Sequence, residues 1–488
     1  AAVHGLHLSL TRPAMWTTLL ISLSVLFMAL VSYLVLALFL GARPRRRWLV
    51  LASLVHGLAL LVLVTLWSNG LPGYFQDNAL YLELRSFLLG PSDPLADPGA
   101  DLILIDNSRS RSGVVGGEGQ TGPITDRAEL AELLRFLNGH SDELGLVVCD
   151  ILFLEPSAAD GSLAAAVSDL HRKGLVLLAR GVGPNVAALD FGPAVHAPAT
   201  VGLQDGMVAA FRLMEEGVPG LPYAMYQRTE GVAARPVAGG MFLAETNGHG
   251  TALVHPVFQP VLDRLPSDLF ATAREGPVSD APAHRPLPLH TAVAPYGRVL
   301  LEDRLKHPRG GRKPVVFIGE FGEPGVGISA DRHATLQGER GGALIILNTY
   351  LDLLAGAHRV SVLSLLLQFG VFTLVTLFVL LRTWPLVRRK GKGYSLLAWA
   401  GCARWPSSEE PEDLGQEKSF NWRSLVFRAT RKHLGDLLLD LLPTALVFLL
   451  FLLLENGLDQ HVNLAACLLY FLAFGALFGH LHSPPRRT

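Results

Sequence analysis

The chain has 488 residues, half of them hydrophobic, and a formal net charge of −1. This length allows a domain of ordinary size together with a membrane part. A charge so close to zero gives no electrostatic reason to expect a nucleic-acid partner. Cys149, Cys402 and Cys467 are far apart and show no CxxC spacing. Neither a disulfide framework nor a thiolate metal site is therefore predicted.

Five stretches are apolar over about 20 residues, the length that an α-helix needs to cross a bilayer. We predict transmembrane helices at 15–40, 48–67, 360–381, 437–454 and 462–481. The fourth is the weakest, because Asp440 and Pro443 lie near its start. His56 lies inside the second, where an ionisable side chain is a candidate for function. An interhelical hydrogen bond is the alternative to a haem or quinone role for His56.

Lysine and arginine are concentrated in the first hairpin, after the third stretch and after the fifth. The positive-inside rule then places the N-terminus and residues 68–358 outside, and residues 383–436 and the tail inside. The predicted parts are an outer tail and transmembrane hairpin (1–67), an extracytoplasmic domain (68–358), a transmembrane helix (359–382), a cytoplasmic loop (383–436) and a second hairpin with a short tail (437–488). The first residue is alanine, which fits a removed signal peptide and equally a sequence that starts late.

The outer domain is organised around residues 145–156, where an apolar run predicts a buried strand. Further strands are predicted at 101–106, 175–179 and 314–320. One helix is predicted at 126–138, with Asp126 at its cap, and another between Asp160 at its cap and Gly174 at its end. Alternating strands and helices predict an α/β domain with a mainly parallel sheet.

The remaining segments carry weaker patterns. Loops are predicted at 108–122, 282–295 and 328–341, an exposed helix at 221–228, and an amphipathic helix at 74–89. A helix at 343–354 is separated from the third membrane stretch by only 355–359, too few residues for a slack linker. We therefore expect a near-continuous helical rod from the domain into the membrane.

Acidic residues follow several of the predicted strands. Ligands of α/β sheets usually bind beyond the carboxyl ends of the strands. Converging carboxylates there could bind a hard cation or perform acid–base chemistry. The alternative is that they cap helices and accept backbone N–H groups of the loops. The candidate ligand-binding or structural residues are Asp106, Ser108, Asp150, Glu155, Glu320, Asp331 and His333.

Several motifs support one resemblance. They are CDILFLEP at 149–156 with Asp160 and Leu163 after it, LELR at 82–85, IDNS at 105–108, DG at 205–206, FRL at 211–213, LPYA at 221–224, and IGE at 318–320 followed by Asp331, His333 and Thr335. Over roughly 74–356 the chain resembles the second type of CHASE extracytoplasmic sensory domain, or CHASE-two. Leu336 departs from the family, where proline is usual. The resemblance implies a periplasmic sensory domain followed by about three spans. Relatives end in a cyclase, kinase or similar output domain, which is not recognisable here.

Other motifs resemble those of known functional sites but do not predict such a site here. Residues 117–122 fit GxGxxG, yet they do not directly follow a strand and the loop is expected outside the membrane, so no dinucleotide site is predicted. No P-loop motif exists. Ser329, Asp331 and His333 alternate in a polar segment without a GxSxG elbow, so a hydrolase triad is not predicted. We expect neither an enzyme nor a bound cofactor or metal.

The inner loop combines a basic run with an amphipathic stretch at 421–434. This pattern predicts an interfacial helix attracted to anionic lipid. A docking site for a cytoplasmic partner is the alternative, and the two are compatible. The candidate contact residues are Arg388, Arg389, Lys390, Trp422, Arg423, Arg428 and Arg431.

The expected function is that of a bacterial inner-membrane protein whose periplasmic domain binds a ligand or a protein and acts through a partner chain. The alternative is a non-catalytic scaffold subunit of a larger membrane complex. The expected partners are membrane lipid and other membrane or periplasmic subunits. The sequence does not decide whether the chain also forms a homo-oligomer.

Overall fold

In the computed structural model the chain forms two compact units. One contains Leu66–Ser361, and the other contains Trp16–Thr65, Val362–Leu458 and Val462–Thr488. The structure describes residues 12–40, 45–70, 101–115, 121–153, 156–181, 195–199, 202–204, 207–215, 217–237, 242–248, 250–258, 262, 264–265, 269, 285–308, 311–321, 332–335, 338–383, 445–450 and 464–481.

Ten helices and eighteen strands are labelled in chain order within these residues. The helices are α1 (Arg12–Leu40), α2 (Arg46–Gly70), α3 (Arg127–Gly139), α4 (Asp160–Arg172), α5 (Leu221–Glu230), α6 (Leu289–Val293), α7 (Pro295–Lys306), α8 (Gly342–Leu354), α9 (Val362–Thr383) and α10 (Leu464–Leu481). The strands are β1 (Leu102–Asp106), β2 (Arg111–Val115), β3 (Thr121–Thr125), β4 (Leu146–Cys149), β5 (Val176–Arg180), β6 (His196–Pro198), β7 (Gly202–Gln204), β8 (Met207–Arg212), β9 (Met214–Glu215), β10 (Val218–Pro219), β11 (Ala233–Val237), β12 (Phe242–Asn247), β13 (Gly250–Val254), β14 (Val257–Phe258), β15 (Leu287–Pro288), β16 (Val315–Gly319), β17 (Arg332–Thr335) and β18 (Gly338–Gly341).

The six strands of the central sheet lie in the order β15-β1-β16-β4-β5-β6, and every neighbouring pair is parallel. β1, β4 and β16 are buried along their whole length. Such continuous apolar runs are typical of parallel strands with helices on both faces. The prediction of an α/β fold with a mainly parallel sheet is confirmed. β16, which comes late in the chain, lies between β1 and β4, so β16 and β4 form the central pair.

Side chains alternate between the two faces of this sheet. Ile103 and Val147 face a core that includes residues of α3, α4, α6 and α7. Leu104 and Val148 face a second core that includes residues of α5 and α8. The unit is therefore a three-layer sandwich with the central sheet in the middle.

The N-termini of the first two helices of this unit follow the sequence prediction in part. Asp126 caps α3 as predicted, and its carboxylate accepts from the N–H groups of Ala128 and Glu129 at 2.9 and 3.1 Å. Asp160 was predicted at the cap of α4, but it is the first helical residue. Its carboxylate accepts from the Ser157 N–H at 2.8 Å and forms an ion pair with Arg127.

Four segments differ from the prediction. Residues 108–122 contribute to the antiparallel hairpin β2–β3, and the polar segment 328–341 contributes the hairpin β17–β18. Short polar strands of this kind carry little apolar periodicity, which explains the wrong prediction of loops. Residues 282–295 contain α6 and the start of α7. The helix predicted as exposed, α5, buries Leu221–Tyr226 because it packs against both the central sheet and α8.

Within the part of the chain that is described, three helices are long and apolar enough to cross a membrane. Their candidate spans are Ser22–Leu40, Arg46–Val64 and Val362–Leu381. These helices indicate that the chain is a membrane protein. Residues 445–450 are helical, and α10 contains a shorter apolar segment, Cys467–Phe478, so the fourth and fifth predicted spans are not established.

Some sequence predictions lie outside the described residues. They are the helix at 74–89, Glu155, Asp331, and the inner-loop residues Arg388, Arg389, Lys390, Trp422, Arg423, Arg428 and Arg431.

Candidate functional site

The carboxyl edge of the central sheet brings together three of the predicted acids. Asp106 ends β1 and is paired in register with Gly319, so Glu320 lies beside it at the end of β16. Asp150 follows β4, and its N–H donates to the Ile318 carbonyl at 2.8 Å. His333 is elsewhere, on β17 in a different sheet.

The carboxylates of Asp106 and Glu320 are engaged by groups of the segments that follow β1 and β16. Asp106 is fully buried and accepts from the Ser108 hydroxyl and from the Phe321 N–H, the latter at 3.0 Å. Glu320 forms an ion pair with Arg111. Burial lowers the pKa of Arg111, and the charge of Asp106 opposes that shift. These are the bonds expected if the acids hold loops together, and no group of three or more metal-ligating side chains occurs among the described residues.

A second polar site, which the sequence did not predict, is centred on Glu245 of β12. The Glu245 side chain is 3% exposed. Its Oε1 accepts from the Tyr223 hydroxyl at 2.7 Å and lies 3.0 Å from His358 Nε2. Its Oε2 accepts from the Tyr226 hydroxyl at 3.4 Å, and Arg359 donates to that hydroxyl at 2.8 Å. We name these five residues the Glu245 cluster.

Local structure explains how this cluster forms. Tyr223 and Tyr226 are three residues apart on α5, so they lie on the same face of that helix. Both rings meet the His358 ring edge to face, with centroids 6.4 and 5.0 Å away. Glu245 is the last of three consecutive buried residues on β12, after Leu243 and Ala244 and before the exposed Thr246. Because Glu245 only follows a short apolar run and precedes Thr246 and Asn247, its sequence context carries no signal that could have located the site.

The cluster holds Glu245 ionised despite its burial. Burial favours the neutral acid, but the hydrogen bond and charge of His358, the Tyr223 hydroxyl and the charge of Arg359 outweigh it and lower the pKa of Glu245. Burial and the neighbouring carboxylate raise the pKa of Tyr223, so its hydroxyl remains a donor. The cluster is therefore a network of charge-assisted hydrogen bonds around Glu245.

His358 and Arg359 belong to residues 355–361, here named the junction segment, which connects α8 to α9. α8 ends at Leu354, and Gly356 adopts a left-handed conformation with φ of +81°. The predicted near-continuous rod is therefore wrong, because glycine in this conformation ends the helix. Instead, Arg359 pairs with Val254 of β13, and the Val360 N–H donates to the Leu253 carbonyl at 2.7 Å.

α8 is also anchored through polar side chains on its buried surface. Asn348 Oδ1 accepts from the Leu265 N–H at 2.8 Å. Asp352, which is fully buried, forms an ion pair with Arg264 at 2.8 Å. Since both residues lie on the helix that leads to the junction segment, α8 is fixed within the α/β unit by specific bonds as well as by packing.

The membrane unit contains its own polar cluster around His56 of α2. His56 Nδ1 lies 2.9 Å from the Thr376 hydroxyl of α9, and Nε2 lies 2.7 Å from the Tyr470 hydroxyl of α10. The ring also stacks on Phe474 at 4.8 Å. Because both ring nitrogens are engaged between helices, the geometry favours the interhelical role over that of a haem ligand.

Comparison with known proteins does not assign this chain. No protein family matches it, and no curated protein or solved structure matches it significantly.

Proposed function

We propose that this chain is an integral protein of a bacterial inner membrane, with five membrane-spanning helices and its α/β unit in the periplasm. The α/β unit binds a ligand or another protein, and the chain acts through a partner chain. The three candidate spans and the distribution of basic residues support the membrane part of this proposal. The resemblance to CHASE-two domains supports the sensory part.

The observation that carries the proposal is the Glu245 cluster. It connects α5 and β12 of the α/β unit to His358 and Arg359, which come shortly before the first residue of the candidate span α9. A displacement of α5 or β12 must move or break these bonds. A binding event that repacks the unit therefore has a direct route to the chain segment that enters the membrane.

The scaffold alternative is favoured by a different observation, at the carboxyl edge of the central sheet. There Asp106 and Glu320 are engaged by Ser108, Phe321 and Arg111 of the same unit. A ligand that used these acids would have to break those bonds first. A scaffold needs no such ligand, and its specificity would come from fixed surfaces.

The first experiment tests the topology by thiol labelling in a cysteine-free background. Arg172, whose side chain is 77% exposed on α4, and Ser407 of the predicted inner loop are each replaced by cysteine. A membrane-impermeant maleimide should label Arg172→Cys in intact spheroplasts and Ser407→Cys only after permeabilisation. Labelling of Ser407→Cys alone in intact spheroplasts would contradict the proposed orientation.

The second experiment separates a receptor from a scaffold. The full-length tagged protein is purified from its native membrane in a mild detergent, and the copurifying chains are quantified. A partner whose recovery changes with growth conditions supports the receptor. A fixed, stoichiometric set of partners under all conditions supports the scaffold and contradicts the sensory proposal.

A further inference from the structure

The helix α7 buries one face in the α/β unit and exposes the other. Leu301 and Leu305 are buried in the core that lies against the central sheet. Because an α-helix has 3.6 residues per turn, Tyr296, Val299 and Leu300 lie together on the opposite face. Their exposed fractions are 72%, 64% and 40%. We name these three residues the α7 face.

The α7 face concentrates apolar surface more than any other described part of the α/β unit. Among the described residues of this unit, six large apolar side chains are at least 40% exposed, and three of them form the α7 face. The other three, Leu152, Val218 and Leu253, lie on separate segments. Single exposed apolar side chains need no explanation, but a contiguous group on one helix indicates a contact surface.

The two ends of the α7 face differ in charge. At the N-terminal end, Ala294 occupies the N-cap without a side chain that could accept from the first N–H groups, and the first helical turn contains no acidic residue. Toward the C-terminal end, Asp303 follows Leu300 on the same side of the helix. Its side chain is 73% exposed and pairs with His307 at 3.2 Å. A carboxylate is favourable beside a helix N-terminus and unfavourable near a C-terminus.

These features make α7 complementary to a second, antiparallel copy of itself. In a two-fold symmetric contact, each residue meets its counterpart reciprocally. If the axis passes between Val299 and Leu300, the two apolar side chains pack against each other across the pair. Tyr296 and Asp303 are equally far from this axis along the helix. Asp303 of each copy then lies beside Tyr296 in the uncapped first turn of the other copy, where its charge is favourable.

We propose that the α7 face is a dimer interface and that its occupant is the α7 face of a second copy of this chain, in antiparallel orientation. The 12 residues of α7 form a helix about 18 Å long. A contact of this length buries less than the roughly 1,200 Å² of a typical stable interface. We therefore expect a reversible pair that forms between copies concentrated in one membrane. The pairing uses residues of the α/β unit only and is separate from the binding role proposed above.

Disulfide cross-linking in native membranes tests both the pairing and its register. Each variant is the full-length chain in a cysteine-free background with one new cysteine on α7, oxidised with copper phenanthroline. Val299→Cys should give a cross-linked homodimer, because this position lies next to its own copy at the axis. Tyr296→Cys and Asp303→Cys should each give several-fold less. Each of these positions is displaced by about 10 Å along the helix from its own copy, whereas a disulfide needs Cα atoms within about 7 Å.

Two combinations sharpen the test. Co-expression of differently tagged Tyr296→Cys and Asp303→Cys chains should restore the cross-link, because these positions face each other across the pair. Adding Leu300→Glu to Val299→Cys should reduce the homodimer several-fold, because it brings two like charges together at the axis. Adding Leu253→Glu instead is the matched control and should leave the yield unchanged, because Leu253 is similarly exposed, at 44%, but lies on β13. Circular dichroism of both purified variants checks that they are folded.

The yields decide between a specific pair and the alternatives. Equal homodimer yields for the three single-cysteine variants would overturn the proposal, because random collision between chains has no register. Absence of a homodimer for Val299→Cys would also overturn it. Free labelling of that cysteine by an aqueous maleimide would then show an uncovered face, and a cross-link to a different protein would show that another partner occupies it.

Discussion

Replacing His358 with alanine removes the imidazole that lies 3.0 Å from Glu245 and leaves the carboxylate in the interior. Glu245 is 3% exposed, so water cannot replace the lost partner without opening the unit. Leaving a buried charge without one of its partners costs about 3–5 kcal/mol. The Tyr223 and Tyr226 hydroxyls still reach Glu245, so we expect the lower end of this range, about 3 kcal/mol.

The assay must report on the α/β unit alone. All seven tryptophans lie outside residues 68–358, so intrinsic fluorescence is unsuitable. Cys149 is fully buried in β4 of the central pair, and burial raises the pKa of its thiol. In a Cys402→Ser, Cys467→Ala background its labelling rate follows the population of the open unit, provided that reclosing is faster than labelling. A loss of about 3 kcal/mol predicts labelling about 100-fold faster.

Two variants make this result interpretable. His307→Ala removes a histidine–aspartate pair that is 75% and 73% exposed, and such surface pairs contribute at most about 1 kcal/mol, so labelling should change only slightly. Adding Glu245→Gln to His358→Ala should slow the labelling again, because a neutral amide is less costly to bury than an unpaired charge. Wild-type labelling of His358→Ala would refute the reasoning that the Glu245 cluster holds the junction segment in place.

Three further predictions concern the central sheet, the Glu245 cluster and the packing of α2 against α9. Val148→Asp should unfold the α/β unit, because it puts an unpaired charge into the core between the central sheet and the helices α5 and α8. A labelling rate of Cys149 equal to that of wild type would show that this position is not critical. The pKa of Glu245 is lowered from its ordinary 4.5, so its contribution to stability is present above that pH and is lost as the pH falls through the folded-state pKa. The urea midpoint measured by circular dichroism should therefore fall on acidification in wild type and fall less in Glu245→Gln. An equal dependence of the midpoint on pH in the two proteins would contradict the lowered pKa of Glu245. Gly57→Leu should separate α2 from α9, since a Cβ at position 57 would approach the Thr373 backbone N to 3.0 Å. The protease resistance of the membrane unit should therefore drop. Gly370→Leu is the control and should have little effect, because position 370 has open space around it.

The sequence predicted the central sheet well because the burial of its strands is local information. Apolar runs at β1, β4 and β16 specify strands covered on both faces, and parallel pairing then brings Asp106 and Glu320 to one edge. The insertion of β16 between β1 and β4 could not be predicted, because both neighbours are distant in sequence and no local pattern encodes their order.

The Glu245 cluster escaped prediction for a related reason. Its members come from α5, β12 and the junction segment, and each is unremarkable in its own sequence context. The helical rod was predicted from the shortness of the connection between α8 and α9. The decisive features are instead the left-handed Gly356 and the pairing of Arg359 with Val254, and the latter depends on a strand far away in the sequence.

Insertion of six glycines between Ser361 and Val362 tests most directly whether the α/β unit acts through the junction segment. This site leaves the bonds of His358, Arg359 and Val360 in place, and a longer loop costs little stability, so Cys149 labelling should match that of wild type. We expect that recovery of the partner chain from native membranes, at equal abundance of the tagged protein, falls and no longer depends on growth conditions. Undiminished, condition-dependent recovery would contradict transmission through the junction segment, and undiminished recovery of a fixed set of partners would favour the scaffold.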